Sequence, residues 1–284
     1  WLGDRKGDEA YYKAYLNRYP KDKRIQTKLT KLRQQNTRVV SKPVAPKVDP
    51  MANMVKEGYE ALNNGKLEAA DRIFSHVLKT DPNNADALGG LGVVRLRQER
   101  FDNAINLLEA SSRFAPKRAD RWNEALSTAR YWSIVRRGQA ARKAKDLGAA
   151  EGYYRKAIPM NPNEVTARVE LGDILRELNR FPEAEAEYRE ILRLEPGNGA
   201  ALRGLVVSMS EQDRKREALA FAEGLPEDQR ELIYNLGSLR GEVLRDTAQA
   251  AADRGDYKTA EKLLREALFV DPESPWTRLA LARI

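Results

Sequence analysis

The 284-residue chain contains no cysteine. That excludes disulfides, thiolate nucleophiles and Cys-based metal sites together, and leaves the compartment open, since such a chain suits periplasm and cytosol equally. There is one histidine, His76. A lone imidazole without cysteine makes no structural zinc site, and no serine or acid is placed by sequence to form a triad with it, so a packing or surface role accounts for it. Aromatics are 7% of residues, and the Val/Ile/Thr alternation of strands is missing. Ala, Leu, Arg and Glu dominate instead, which is the composition of helices. No apolar run approaches the about 18 residues that cross a bilayer. No secretory leader is legible either, because Trp1 is followed at once by Leu2-Gly3-Asp4-Arg5-Lys6. With no initiator methionine and an element already under way, the chain reads as an interior piece of a longer protein.

An excess of one charge sign is also lacking over most of the length. The net charge is +8, but residues 1–50 carry 13 Lys/Arg against 5 Asp/Glu and so hold all of it; the other 234 residues have 37 of each sign. Nucleic-acid binding by the whole chain would want a basic stripe along it, so no nucleic-acid partner is expected.

What is present is a period. Asp81-Pro82, Ala115-Pro116, Asn161-Pro162, Glu195-Pro196 and Asp271-Pro272 each close a helix, with 34 residues between the first two prolines and between the third and fourth. Setting each proline at position 32 frames units at 51–84, 85–118, 131–164, 165–198 and 241–274. Position 8 is then Gly58, Gly92, Gly138, Gly172 and Ala248, and position 20 is Ala70, Ala104, Ala150, Ala184 and Ala260. Position 24 is a knob (Phe74, Leu108, Tyr154, Tyr188, Leu264), and position 17 is Leu67, Phe101, Leu147, Phe181 and Tyr257. Small against large is how close antiparallel helices interdigitate. A bulky residue at any of the five alanines is expected to overpack, at about 1–3 kcal/mol.

Period and positions resemble the tetratricopeptide repeat (TPR), which implies an all-α, right-handed superhelix of antiparallel A and B helices. Gly65, Gly148 and Gly255 fall near A–B turns, where positive φ is wanted. Pro182 suits a first helical turn, and Pro159, a turn ahead of Pro162, should end or kink its helix early.

Between good units the pattern breaks. Residues 119–130 are an insertion that runs without a breaker into Tyr131-Trp132, so one helix of about double length is expected. Residues 199–226 open as a normal helix A, and the second helix is cut short at Gly224-Leu225-Pro226; a second overlong helix is expected from Glu227 to Arg254. Both places should change the stacking angle. Ala10 to Pro20 reads as a helix B and Arg24 to Gln35 as a helix A. The three prolines of 41–50 read as an extended linker. The organisation expected is a basic helical end (1–40), linker (41–50), a TPR pair (51–118), the insertion with further repeats and a truncated one (119–226), and a long helix with a last TPR (227–284).

No catalytic constellation emerges, so an enzyme is not expected, nor any cofactor or metal. Gly89-Gly90-Leu91-Gly92 neither follows a strand nor carries the Lys-Ser/Thr of a phosphate loop. Glu183, Glu185 and Glu187, spaced by two, make a poor acid/base pair and read as a solvated face. In TPR arrays helix A lines the concave groove, through positions 2, 5, 9, 12 and 13. Here these positions supply Tyr59 and Asn63, Val93 and Arg97, Trp132, Gln139, Arg142 and Lys143, Asp173 and Arg176, and Arg245 and Gln249. This mixture suits gripping an extended peptide or stacking on a sugar chain. The Lys/Asn clamp of chaperone-type TPRs is absent from the required positions.

Two irregular segments add a more specific resemblance. Trp122-Asn123, Leu126 and Arg130-Tyr131-Trp132 running into Gly138, then Ala200, Arg203-Gly204-Leu205 and, after the truncated repeat, Leu225 and Gln229-Arg230, resemble the periplasmic TPR region of the bacterial cellulose synthase operon protein C family. The resemblance implies a periplasmic scaffold ahead of an outer-membrane β-barrel, the only membrane part. Its partners would be cellulose synthase components or other periplasmic proteins, with the glucan chain as a further candidate. An intracellular adaptor for a peptide tail, and the TPR arm of a larger enzyme such as a glycosyltransferase, are the alternatives.

Overall fold

The computed structural model describes the backbone of residues 5–18, 20–39 and 50–284, and the side chains of 11–17, 20–34 and 50–284. The described residues form sixteen α-helices and two 3₁₀ turns, with no strand among them. They divide into two compact units, residues 1–77 and 78–284. The first holds α1 (Arg5–Arg18), α2 (Lys23–Val39), α3 (Pro50–Asn63) and most of α4 (Leu67–Thr80). The second continues with α5 (Ala85–Arg97), α6 (Phe101–Phe114), α7 (Asn123–Lys143), α8 (Leu147–Ala157), α9 (Thr166–Glu177) and α10 (Phe181–Leu194). It closes with α11 (Gly199–Ser210), α12 (Lys215–Glu223), α13 (Glu227–Arg230), α14 (Leu236–Ala252), α15 (Tyr257–Val270) and α16 (Pro275–Leu281). The expected linker at 41–50 lies outside the described residues except for Pro50, which opens α3 rather than ending a linker.

The small-to-large rule is the packing rule. A Cβ built on Gly58, Gly92, Gly138 or Gly172 would sit 2.6 Å from Phe74, 2.7 Å from Leu108, 2.6 Å from Tyr154 or 2.8 Å from Tyr188, so position 8 is empty because position 24 of the partner helix fills it. The last unit has Ala248 at position 8 and Leu264 at position 24, buried in one cluster. All five position-20 alanines are fully buried, and so is Ala218 of the truncated unit. Tyr188 is held from a second side by Gly204, whose Cβ would lie 2.3 Å from the ring.

Every A–B turn in the frame is the same Schellman cap. The residue at position 15 has positive φ: Gly65 (72°), Glu99 (57°), Lys145 (61°), Asn179 (57°), Asp213 (59°) and Gly255 (81°). The following N–H returns to the carbonyl five residues back, as in Arg100 to Arg95 (2.9 Å), Asp146 to Ala141 (3.0 Å), Arg180 to Leu175 (2.8 Å) and Arg214 to Met209 (3.1 Å). Gly148 is not such a residue. It lies in the first turn of α8, and Lys145 takes the left-handed position instead. Pro159 acts as its position requires: α8 ends at Ala157 and a 3₁₀ turn, Ile158–Met160, follows.

Both overlong helices need correction at their starts. Pro116–Trp122 is a 3₁₀ turn, and α7 then runs for 21 residues from Asn123. The chain turns there because Trp122 is buried on Gly89, where a Cβ would be 2.0 Å from the indole, while Arg118 and Arg121 bond to Asp86 at 2.9 and 3.1 Å. The second is broken: α13 covers only Glu227–Arg230, and α14 begins at Leu236. Between them Ile233 is 3% exposed, seated in the core with Leu239. Arg203 donates to the Leu232 carbonyl at 3.2 Å and lies 5.6 Å over the Tyr234 ring. Burial of Ile233 and capture of that carbonyl outweigh the helical propensity of the segment.

Candidate functional site

The helix-A candidates fall into separate groups. In the first unit, Tyr59 is half-buried, edge-on to Phe74 at 5.1 Å between ring centres, and Asn63 is exposed at the end of α3. In the second unit, the last turn of α5, the start of α6 and the middle of α7 (residues 128–139) enclose an open cleft of about 480 Å³. Leu96, Arg97, Phe101, Thr128, Trp132 and Gln139 line it, along with an Arg136–Glu99 ion pair at the rim. Trp132 lies nearly parallel to Phe101, with 6.3 Å between centres and 21° between planes, and edge-on to Tyr131 at 5.2 Å. The extension of α7 toward its N-terminus and the buried Trp122 anchor bring position 2 of this unit over position 17 of the preceding helix B. Arg97, Trp132 and Gln139 are thus together as an aromatic floor with polar edges.

A second group joins α7 to α9. Arg142 donates to Glu170 at 2.9 Å and, through Nε, to Glu177 at 3.1 Å, with Asp173 at 3.9 Å. Gln139 reaches Glu170 at 3.4 Å, Arg176 reaches Asp173 at 3.5 Å, and the Tyr188 hydroxyl donates to Asp173 at 2.7 Å. Arg142 is therefore engaged with carboxylates of the next helix A, which ties neighbouring repeats together. Val93 is half-buried, and Lys143 is exposed outside both groups. Arg245 and Gln249 lie apart, in a cleft of about 750 Å³ with Tyr257 and Trp276, where Gln249 donates to Asp253 at 2.8 Å. His76 is exposed.

Three buried tyrosines border these groups. Burial pushes the Tyr131 hydroxyl up to about 12, against the lowering effect of the Ala167 N–H that it accepts at 3.2 Å. Burial and then the Glu170 carboxylate raise Tyr154, and burial and then Asp173 raise Tyr188.

The acidic run of α10 is not a solvated face. Arg180 bonds to Glu151 of α8 at 2.8 Å and to Glu183 at 2.7 Å. One period on, Arg214 bonds to Glu185 of α10 at 2.7 Å and to Glu217 at 2.8 Å. Glu187 pairs with Arg168 at 2.9 Å. Burial opposes ionisation of Glu185, 8% exposed, but hydrogen bonds from Arg189, Gln212 and Arg214 outweigh it and hold the carboxyl below the usual range. The spacing of two sends each carboxylate to a different partner.

Three residues of these groups are not among the groove residues named from the sequence: Phe101 stands at position 17, a packing position, Glu170 at position 6, outside the groove register, and Glu177 at position 13, within it.

Comparison with known proteins agrees with the repeat. Tetratricopeptide repeat family models match residues 61–128, 135–199, 169–229 and 241–284. Cellulose synthase operon protein C of Xanthomonas axonopodis pv. citri is 37% identical over 100% of this chain and 18% of that protein. The protein of the same name from Pseudomonas fluorescens is 32% identical over 100% of this chain and 22% of its own length. The chain therefore spans about a fifth of these relatives. The crystal structure of MamA protein aligns at 20% identity and a TM-score of 0.39, over 65% of this chain and 92% of that one. The chain is a tetratricopeptide-repeat protein, and it resembles cellulose synthase operon protein C along its whole length.

Proposed function

We propose that this chain is a non-catalytic, periplasmic scaffold of cellulose synthesis and export, which holds synthase components and steers the emerging glucan toward an outer-membrane channel. The relatives' names support the setting. The observation that carries the glucan reading is the Trp132–Phe101 floor with Arg97 and Gln139 at its edge. A β-1,4-linked glucan presents flat, apolar C–H faces bordered by hydroxyls. An indole face matches the first, and guanidinium and amide donors match the second. An open cleft on a helix-A surface lets a long chain pass without threading.

Cellohexaose titrated calorimetrically into the chain tests it. Trp132→Ala should weaken binding roughly tenfold, the loss of about 1.4 kcal/mol of stacking. Arg142→Ala, which acts on the neighbouring repeat, should leave it much less changed. Equal affinity of the wild-type chain and Trp132→Ala refutes the site. The setting is tested separately, by fractionating cells that express the parent gene: retention in the cytosol removes the periplasmic assignment.

A further inference from the structure

Most arginines of α7–α12 hold a carboxylate of a neighbouring helix, but α2 is built differently. Residues 23–48 contain eight Lys/Arg and not one Asp or Glu. Arg24, Lys28 and Lys31 follow one another at i, i+4 and i+7, which puts them on a single stripe, and all three are exposed, as is Lys21 ahead of the helix. None of these four side chains makes an ion pair among the described residues. The nearby acid, Asp22, is occupied as the N-cap, accepting from the Arg24 and Ile25 N–H groups at 2.9 and 3.3 Å. Like charges at these spacings repel and weaken the helix, so the stripe is not there for folding. The apolar side of α2 is already used, with Leu29 buried, which leaves no wide hydrophobic face for insertion into lipid.

We infer that the exposed face of α2 is an electrostatic contact surface for an anionic lipid bilayer, which it touches at the phosphate plane without inserting. The choice of cation favours this over an acidic protein. The repeat array pairs acids one by one with forked guanidinium groups, whereas the four exposed cations here are three lysines, Lys21, Lys28 and Lys31, to one arginine, Arg24; lysines are point charges that suit a diffuse sheet of anions. The inference is independent of glucan binding and concerns a different unit of the chain.

The test is co-sedimentation of the whole 284-residue chain with vesicles of phosphatidylglycerol and phosphatidylcholine in equal parts, against phosphatidylcholine alone. Binding should occur only to the anionic vesicles and fade as salt is raised. The triple variant Arg24→Gln, Lys28→Gln, Lys31→Gln should weaken it about a hundredfold, roughly fivefold per charge. Lys117→Gln, Lys156→Gln, Lys258→Gln removes as much charge from elsewhere and should stay within about twofold. Lys28→Arg with Lys31→Arg should bind like wild type, which separates charge from folding. Failure of the wild-type chain to bind anionic vesicles overturns the inference, as does equal loss in the two triple variants. Retention on polyglutamate or duplex DNA with no vesicle binding also overturns it.

Discussion

In α2, Arg24, Lys28 and Lys31 line up with no acid beside them, whereas across α8, α10 and α12 Arg180 and Arg214 each hold two glutamates in the same arrangement one period apart. Both regions are rich in charge. In the array the charges tie each repeat to the next, so their removal should be felt as lost stability. In α2 they face outward, so their removal should be felt only in binding. Isolated surface pairs contribute little, but Glu185 is buried and accepts from three partners, which places the array pairs in a different class.

The sharpest break is steric rather than electrostatic. Gly204→Leu drives a side chain into Tyr188, which is already packed against Gly172, and should cost about 3 kcal/mol in urea denaturation, the upper end of overpacking. Next, Glu185→Ala removes the acceptor shared by Arg189, Arg214 and Gln212, leaving Arg214 only Glu217 and Gln212 only the Ser208 carbonyl, and should cost about 1–3 kcal/mol. The paired experiment, Lys28→Gln with Lys31→Gln in α2, should change stability by less than about 0.5 kcal/mol, with relief of repulsion as the favoured sign. Equal effects at the two places would erase the contrast.

Alkaline titration gives a third distinction. Tyr131, Tyr154 and Tyr188 all have raised pKa values in the folded chain. Below pH 10, the ordinary tyrosine value, folded and unfolded chains both keep the proton and stability is complete. Above it the unfolded chain ionises first, so stability falls as pH rises through about 12, by on the order of 1 kcal/mol per pH unit for each tyrosine. Tyr131→Phe should make the fall shallower, as read from denaturation midpoints between those values. The smallest effect is a gain: Lys145→Gly, at a φ of 61°, should stabilise the chain by about 0.5–1 kcal/mol.

The repeat was legible because packing repeats with it: glycine at position 8, alanine at 20 and the knob at 24 stand in fixed register, and each pair is a contact in space. The breaks were legible as locations but not as conformations. Nothing local says that Trp122 seats on Gly89, or that Ile233 leaves a helix to fill the core, since both depend on a surface made by another element. The same limit applied to the candidate site. Groove positions could be named from the register, but whether Arg142 is free or held depends on Glu170 and Glu177 one repeat away. Positive φ at Glu99 and Lys145 was likewise hidden, because the Schellman cap imposes it on residues that do not prefer it, whereas Asn179 and Asp213 are types that tolerate it.

The central functional claim is that a sugar chain lies on the Trp132–Phe101 floor. Hydrogen exchange of the whole chain with and without saturating cellohexaose tests it most directly. The account predicts added protection confined to peptides spanning the end of α5, the start of α6 and residues 128–139 of α7. Protection at the Arg245–Trp276 cleft instead, or no change anywhere, would contradict it.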